Sequence, residues 1–112
     1  MQERFNVIYS KEADDFLNSL SQKTKDKILS NIRKSKYVLD PKLFKKLEGT
    51  HIWEFRTRYD GIQYRLLAFW DITANSLVVA THGFIKKDQK TPKQQIKHAE
   101  EIRAIYFNMK LK

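Results

Sequence analysis

Residues 51–57 and 62–71 each alternate in character along the chain, and Tyr59-Asp60-Gly61 stands between them. An Asp-Gly pair accepts the positive φ angles of a tight reverse turn, so the two runs are expected to form an antiparallel hairpin. A hairpin with an apolar face must bury it under other elements, which commits the chain to a layered domain containing a sheet.

The flanking sequence supplies those elements. Phe5-Asn6-Val7-Ile8-Tyr9 reads as a short strand. Ser10 then has the character of an N-cap, followed by Glu12, Asp14 and Asp15 where a helix dipole favours negative charge. Ala13, Phe16, Leu17 and Leu20 form the stripe of this first helix. Ser21 starts a second helix, in which Ile28, Leu29 and Ile32 recur at helical spacing until Asp40-Pro41 breaks the pattern. The connection is so short that the two helices should form an αα-hairpin.

After the β-hairpin, the polar Thr73-Ala74-Asn75 turn leads into a third long strand at 76–86. Thr91-Pro92-Lys93-Gln94 combines an N-cap, a proline at the first helical position and a capping-box glutamine. Ile96, Ala99, Ile102, Tyr106 and Met109 should then line one face of a closing helix. The expected order is β-α-α-β-β-β-α, a single α+β domain over residues 1–112 with helices on one face of an antiparallel sheet.

Charge narrows the partners. The 112 residues carry 22 Lys and Arg against 13 Asp and Glu, a net +9, and the excess is greatest after residue 85. Such an excess favours polyanions through attraction and counterion release. There is no cysteine, hence no disulfide and no thiolate metal site. Met1 to Ser10 carries charged and polar residues through its length, unlike a secretory leader, and no apolar run approaches a membrane span, so a cytoplasmic protein that does not engage membranes is expected.

Strand geometry sorts the charges by face. Trp53, Phe55 and Thr57 point one way and Glu54, Arg56 and Arg58 the other. In the next strand Tyr64, Leu66, Ala68 and Trp70 share a face opposite Arg65, Leu67 and Phe69; in the third, His82, Phe84 and Lys86 lie together. If the three strands pair as neighbours, Arg56, Arg58, Arg65, His82, Phe84 and Lys86 line one concave patch beside Lys87 and Lys90. Cations interleaved with aromatics in this way point to phosphate, and to RNA.

Two segments, KKLEGTHIWEFRTRYDGIQYRLLAFW at Lys45–Trp70 and HGFIKKDQKTPKQQIKHAEEIRAIY at His82–Tyr106, resemble the RelE/ParE superfamily of bacterial toxins, more closely its HigB-like, phage-derived branch. The resemblance implies the toxin of a type II toxin–antitoxin system that cleaves mRNA on the 70S ribosome until a cognate helix-turn-helix antitoxin binds it, with DNA engaged only through the antitoxin. It also implies chemistry without a metal or other cofactor, in which the ribose 2′-hydroxyl attacks the adjacent phosphate in line. Nearby cations would stabilise the charge that develops on that phosphate.

On this resemblance Arg65, mid-strand on the open face, is the first candidate for the scissile phosphate, since a guanidinium can clamp two oxygens. Arg56 is the next catalytic candidate, and Arg58 joins it as a contact to mRNA or ribosomal RNA. Lys86, Lys87 and Lys90 are placed to stabilise the phosphorane or, with a lowered pKa, to transfer a proton. Phe84 offers a base a stacking platform unless it belongs to the core, and His82 either transfers a proton or is hydrogen-bonded within the sheet. Lys93, Lys97 and His98 are read as the wet face of the last helix, adding attraction to RNA. The general base stays open. Two other functions compete: inhibition of DNA gyrase without catalysis, as in the ParE branch, which does not need cations on the sheet, and RNA binding without cleavage.

Overall fold

A computed structural model describes residues 2–87 and 89–111 as an α+β domain of three helices and a five-stranded mixed sheet. The chain runs β1 (Asn6–Tyr9), α1 (Lys11–Asn18), α2 (Gln22–Ser35), β2 (Phe44–Lys46), β3 (Trp53–Tyr59), β4 (Ile62–Asp71), β5 (Leu77–Lys86) and α3 (Lys93–Lys110). The spatial order is β1-β5-β4-β3-β2; β1 runs parallel to β5 and every other pair is antiparallel.

The expected hairpin is present. Asp60 and Gly61 both take positive φ, at 52° and 75°, and join Tyr59 to Ile62 across the turn. Both serine caps form as well: Ser10 accepts from the Ala13 amide at 3.1 Å and Ser21 from the Thr24 amide at 3.2 Å. The second helix ends at Ser35, short of the proline, and releases the chain into a loop.

Three expectations are corrected. First, β2 is an additional strand that pairs Phe44 with Phe55 and Lys45 with Glu54, so the order has four strands after the helical hairpin. Secondly, the sheet is mixed rather than antiparallel, because β1 is parallel to β5. Thirdly, helices cover both faces. Ala13, Leu17, Ile28 and Ile32 pack with Phe55, Leu66 and Ala68 on one face, while Ala99, Ile96, Tyr106 and Phe107 pack with Leu67, Phe69 and Val79 on the other. Alternation along β4 gives each side its own core.

The end of α3 also differs from expectation. Met109 is 69% exposed, and Phe107 packs against Phe69 in the second core instead. The Tyr106 hydroxyl and Lys110 Nζ each donate to buried Asp71 Oδ2 at 2.6 Å, which fixes the helix against the end of β4. Burial would raise the Asp71 pKa, but hydrogen bonds from Lys110, Thr73 and Tyr106 outweigh it and hold the carboxyl far below its ordinary value.

A bulge in β5 decides which side chains reach the second face. Leu67 pairs with His82 and Ala68 with Ala80, leaving Thr81 as the additional residue, whose hydroxyl donates to the Leu67 carbonyl at 3.1 Å. Val78 and Ala80 therefore face α1 and α2, whereas His82, Phe84 and Lys86, of the same even-numbered series, face the side of α3.

Candidate functional site

Helix α3 covers only part of its face of the sheet. Over the remainder, Arg56 of β3, Arg65 of β4 and Phe84 of β5 lie in one row across the strands, and Arg58, Gln63 and Lys86 form the next. All of these but Phe84 border an open hollow of about 590 Å³ into which six cationic residues converge: Lys42, Arg56, Arg58, Arg65, Lys86 and Lys87. The rest of its lining is Thr57, Gln63 and Gln89, so no carboxylate borders it among the described residues.

Arg65 is not the exposed strand cation expected from alternation. It is 7% exposed, with Nη1 donating to the Tyr64 carbonyl at 3.1 Å and Nη2 to Gln63 Oε1 at 2.7 Å. In the adjacent row of the same face lies Glu54, fully buried. Its Oε1 accepts from Arg56 Nε at 2.9 Å and lies 3.4 Å from Arg65 Nε, and its Oε2 accepts from the Thr91 hydroxyl. The Arg65 contact is an attraction of charges without hydrogen-bond alignment, and its Nε has no hydrogen-bond partner. One buried carboxylate thus orients two guanidinium groups.

The Thr91 contact revises the expected start of α3. Pro92 occupies the N-cap position without a side-chain cap bond, while Thr91, expected to cap the helix, uses its hydroxyl to fasten the preceding loop to Glu54.

The electrostatics follow from this crowding. Burial lowers the Arg65 pKa, Glu54 opposes the shift and Arg56 adds to it. Lys86 is lowered first by burial, then by Arg65, with Glu54 opposing and Arg56 and Lys45 reinforcing. The Lys86 ammonium is therefore a readier proton donor than an isolated lysine.

The other expected site residues divide. Arg58 and Lys87 line the hollow; Lys90 borders a neighbouring one together with Arg56 and Lys86. His82 does not line it. It is buried beside α3, with Nδ1 3.1 Å from Thr81 Oγ1 and Nε2 2.8 Å from Gln95 Oε1, and burial lowers its pKa. Phe84 is partly buried against the second core rather than presented as a stacking platform. Lys93 and Lys97 are exposed on α3 and border neither hollow, whereas His98 bonds Glu12 at 3.0 Å and packs edge-on to His82 at 4.6 Å. Sequence reasoning passed over Lys42, Gln63 and Gln89. Gln63 shares the face of Arg65 by simple alternation and was accessible to it; the two loop residues carry no periodic signal.

Fold and site together define a small α+β domain with a cationic hollow floored by three strands. Its sequence matches the phage-derived Gp49-like protein family (DUF891) over residues 15–106, and the chain belongs to that family, which is associated with RelE-like toxin proteins. No curated protein shows a significant match to the chain. No helix among the described residues is long and apolar enough to cross a membrane.

Proposed function

We propose that this protein is the toxin of a type II toxin–antitoxin system, of HigB-like character, and that it cuts mRNA on the ribosome and is silenced by a helix-turn-helix antitoxin. The observation that carries this reading is the convergence of six cations on one hollow whose described lining contains no carboxylate. Such a site favours a phosphodiester, and more strongly the phosphorane it becomes, because positive groups fixed beforehand stabilise charge as it develops. Membership in a family associated with toxin-like proteins supports the same reading.

In the proposed reaction the 2′-oxygen attacks the adjacent phosphorus and the bond to the 5′-oxygen breaks, giving a 2′,3′-cyclic phosphate and a 5′-hydroxyl. The proton released by the 2′-hydroxyl is matched by one taken up by the departing oxygen. Lys86, with its lowered pKa, is the donor we assign to that oxygen. Arg65 and Arg56 hold the non-bridging oxygens, their directions set by Glu54. Arg58, Lys42 and Lys87 attract the flanking backbone.

The test is a purified translation system programmed with a defined mRNA, assayed for both protein synthesis and mRNA cleavage. Arrest accompanied by cleavage is expected, and a 2′-deoxy substitution at the cut position should abolish cleavage because the nucleophile is missing. Arrest with intact mRNA, or equal cutting of the deoxy substrate, would overturn the reading.

A further inference from the structure

A second hollow, of about 440 Å³, adjoins the first and shares Arg56, Lys86 and Gln89 with it. It owes its existence to β2, whose register sets Lys45 opposite Glu54 and so on the same face as Arg56 and Arg65. Lys45 rims it from the edge strand, whereas Lys46, opposite Trp53, borders it from a strand position facing the other way; Lys90 rims it from the loop that Thr91 fastens to Glu54.

Both lysines of β2 are exposed, and neither makes a salt bridge or side-chain hydrogen bond in the described structure. Two carboxylates border this hollow, but Glu54 is already engaged by Arg56, Arg65 and Thr91, leaving Glu48 against the lysines. Lys45 is near enough to contribute to the lowering of the Lys86 pKa, so the two hollows form one electrostatic unit.

We propose that the two hollows form a continuous track for one single-stranded nucleic acid, in which Lys45 and Lys90 hold the phosphate next to the one held in the first hollow. The inference rests on the ribonuclease reading for the first hollow but needs only binding for its own test. A flexible phosphodiester strand suits this surface because its charges recur at short intervals and its backbone can follow the cations, Arg56 and Lys86, that the two hollows share. An acidic protein segment fits less well, since the apolar members of the second hollow, Leu47 and Ile96, are both partly packed into the core beneath α3.

The test measures binding of a fluorescent ten-nucleotide single-stranded RNA, 2′-O-methylated to prevent cutting, across a salt series. The proteins are wild type, Lys45→Ala, Lys90→Ala and a charge-matched control, Lys23→Ala, on the exposed face of α2. Loss of one phosphate contact should make the plot of log affinity against log salt shallower by about 0.7 for a single strand. We expect that change in Lys45→Ala and in Lys90→Ala but not in the control. Equal slopes in wild type and Lys45→Ala would overturn the track, as would equal losses in the control. So would unchanged RNA binding combined with lost affinity for an acidic polypeptide such as polyglutamate. If the slope changes as expected while wild type fails to cleave mRNA on ribosomes, the track stands and the ribonuclease reading falls.

Discussion

Arg65 and Glu54 should be coupled in stability, and a double-mutant cycle measures the coupling. Glu54 is fully buried and Arg65 nearly so, with 3.4 Å between Oε1 and Nε. Removing one member of a buried ion pair typically costs about 3–5 kcal/mol, because the other is left uncompensated in a poor solvent for charge. Here Glu54 retains Arg56 and Thr91, which brings Arg65→Ala below that range, to about 2–3 kcal/mol or roughly 10 °C in melting temperature. Glu54→Gln keeps the size and an acceptor oxygen but leaves two guanidinium groups without their counterion, and should cost about 2 kcal/mol. In the double variant the second change removes a penalty created by the first, so the combined loss should fall short of the sum by about 1–2 kcal/mol. Urea unfolding with unchanged m-values is the assay, and additivity within about 0.5 kcal/mol would refute the ion pair as a structural element. Cleavage is measured on the same proteins well below their melting temperatures. There Arg65→Ala should lose about a hundredfold in rate, corresponding to about 3 kcal/mol of barrier, if the guanidinium holds the phosphorane.

Gly83→Ala should destabilise by about 1–3 kcal/mol, since a Cβ at that position would lie 2.2 Å from Phe16 Cδ2 and force the ring of α1 to move; a melting curve checks it. Asp71 has a lowered folded pKa, so its contribution to stability is complete well above its ordinary value of 3.8 and is lost as pH falls below it. Asp71→Asn should therefore lose stability at neutral pH and show a flatter acid limb. His82 is likewise lowered, so wild type should lose stability as pH falls through the ordinary value of 6.5. His82→Gln should abolish that slope in denaturation curves taken between pH 7.5 and pH 5.

What the sequence disclosed was mostly local. Asp60-Gly61 specifies its own turn, and Ser10 and Ser21 cap helices through residues three positions away, so these features need no knowledge of the rest of the chain. The strand β2 is too short for any periodicity to register, and its place is decided by Phe44 stacking on Phe55 at 4.2 Å. That helices cover both faces was legible but unread: Leu66-Leu67-Ala68-Phe69 is apolar on both sides of the pleat, the pattern of a strand with no wet face. That Arg56, Arg65 and Lys86 share a face followed from alternation on the condition that the three strands pair as neighbours, and they do. The fate of Arg65 did not follow, because its burial depends on Glu54 beside it and on a loop tied down by Thr91, partners distant in sequence.

The parallel strand at the edge has a consequence for the order in which this protein is made. Asn6 pairs with Leu77, so the first strand leaves the ribosome long before the one that receives it exists. Closing so wide a loop is slow and comes late, after the local hairpin has formed. Lys86 lies on that same late strand, past the bulge at Thr81. A chain interrupted before β5 would therefore lack both its sheet edge and its lowered-pKa lysine. On the proposed function, a nascent chain would thus lack part of its site until synthesis is nearly complete.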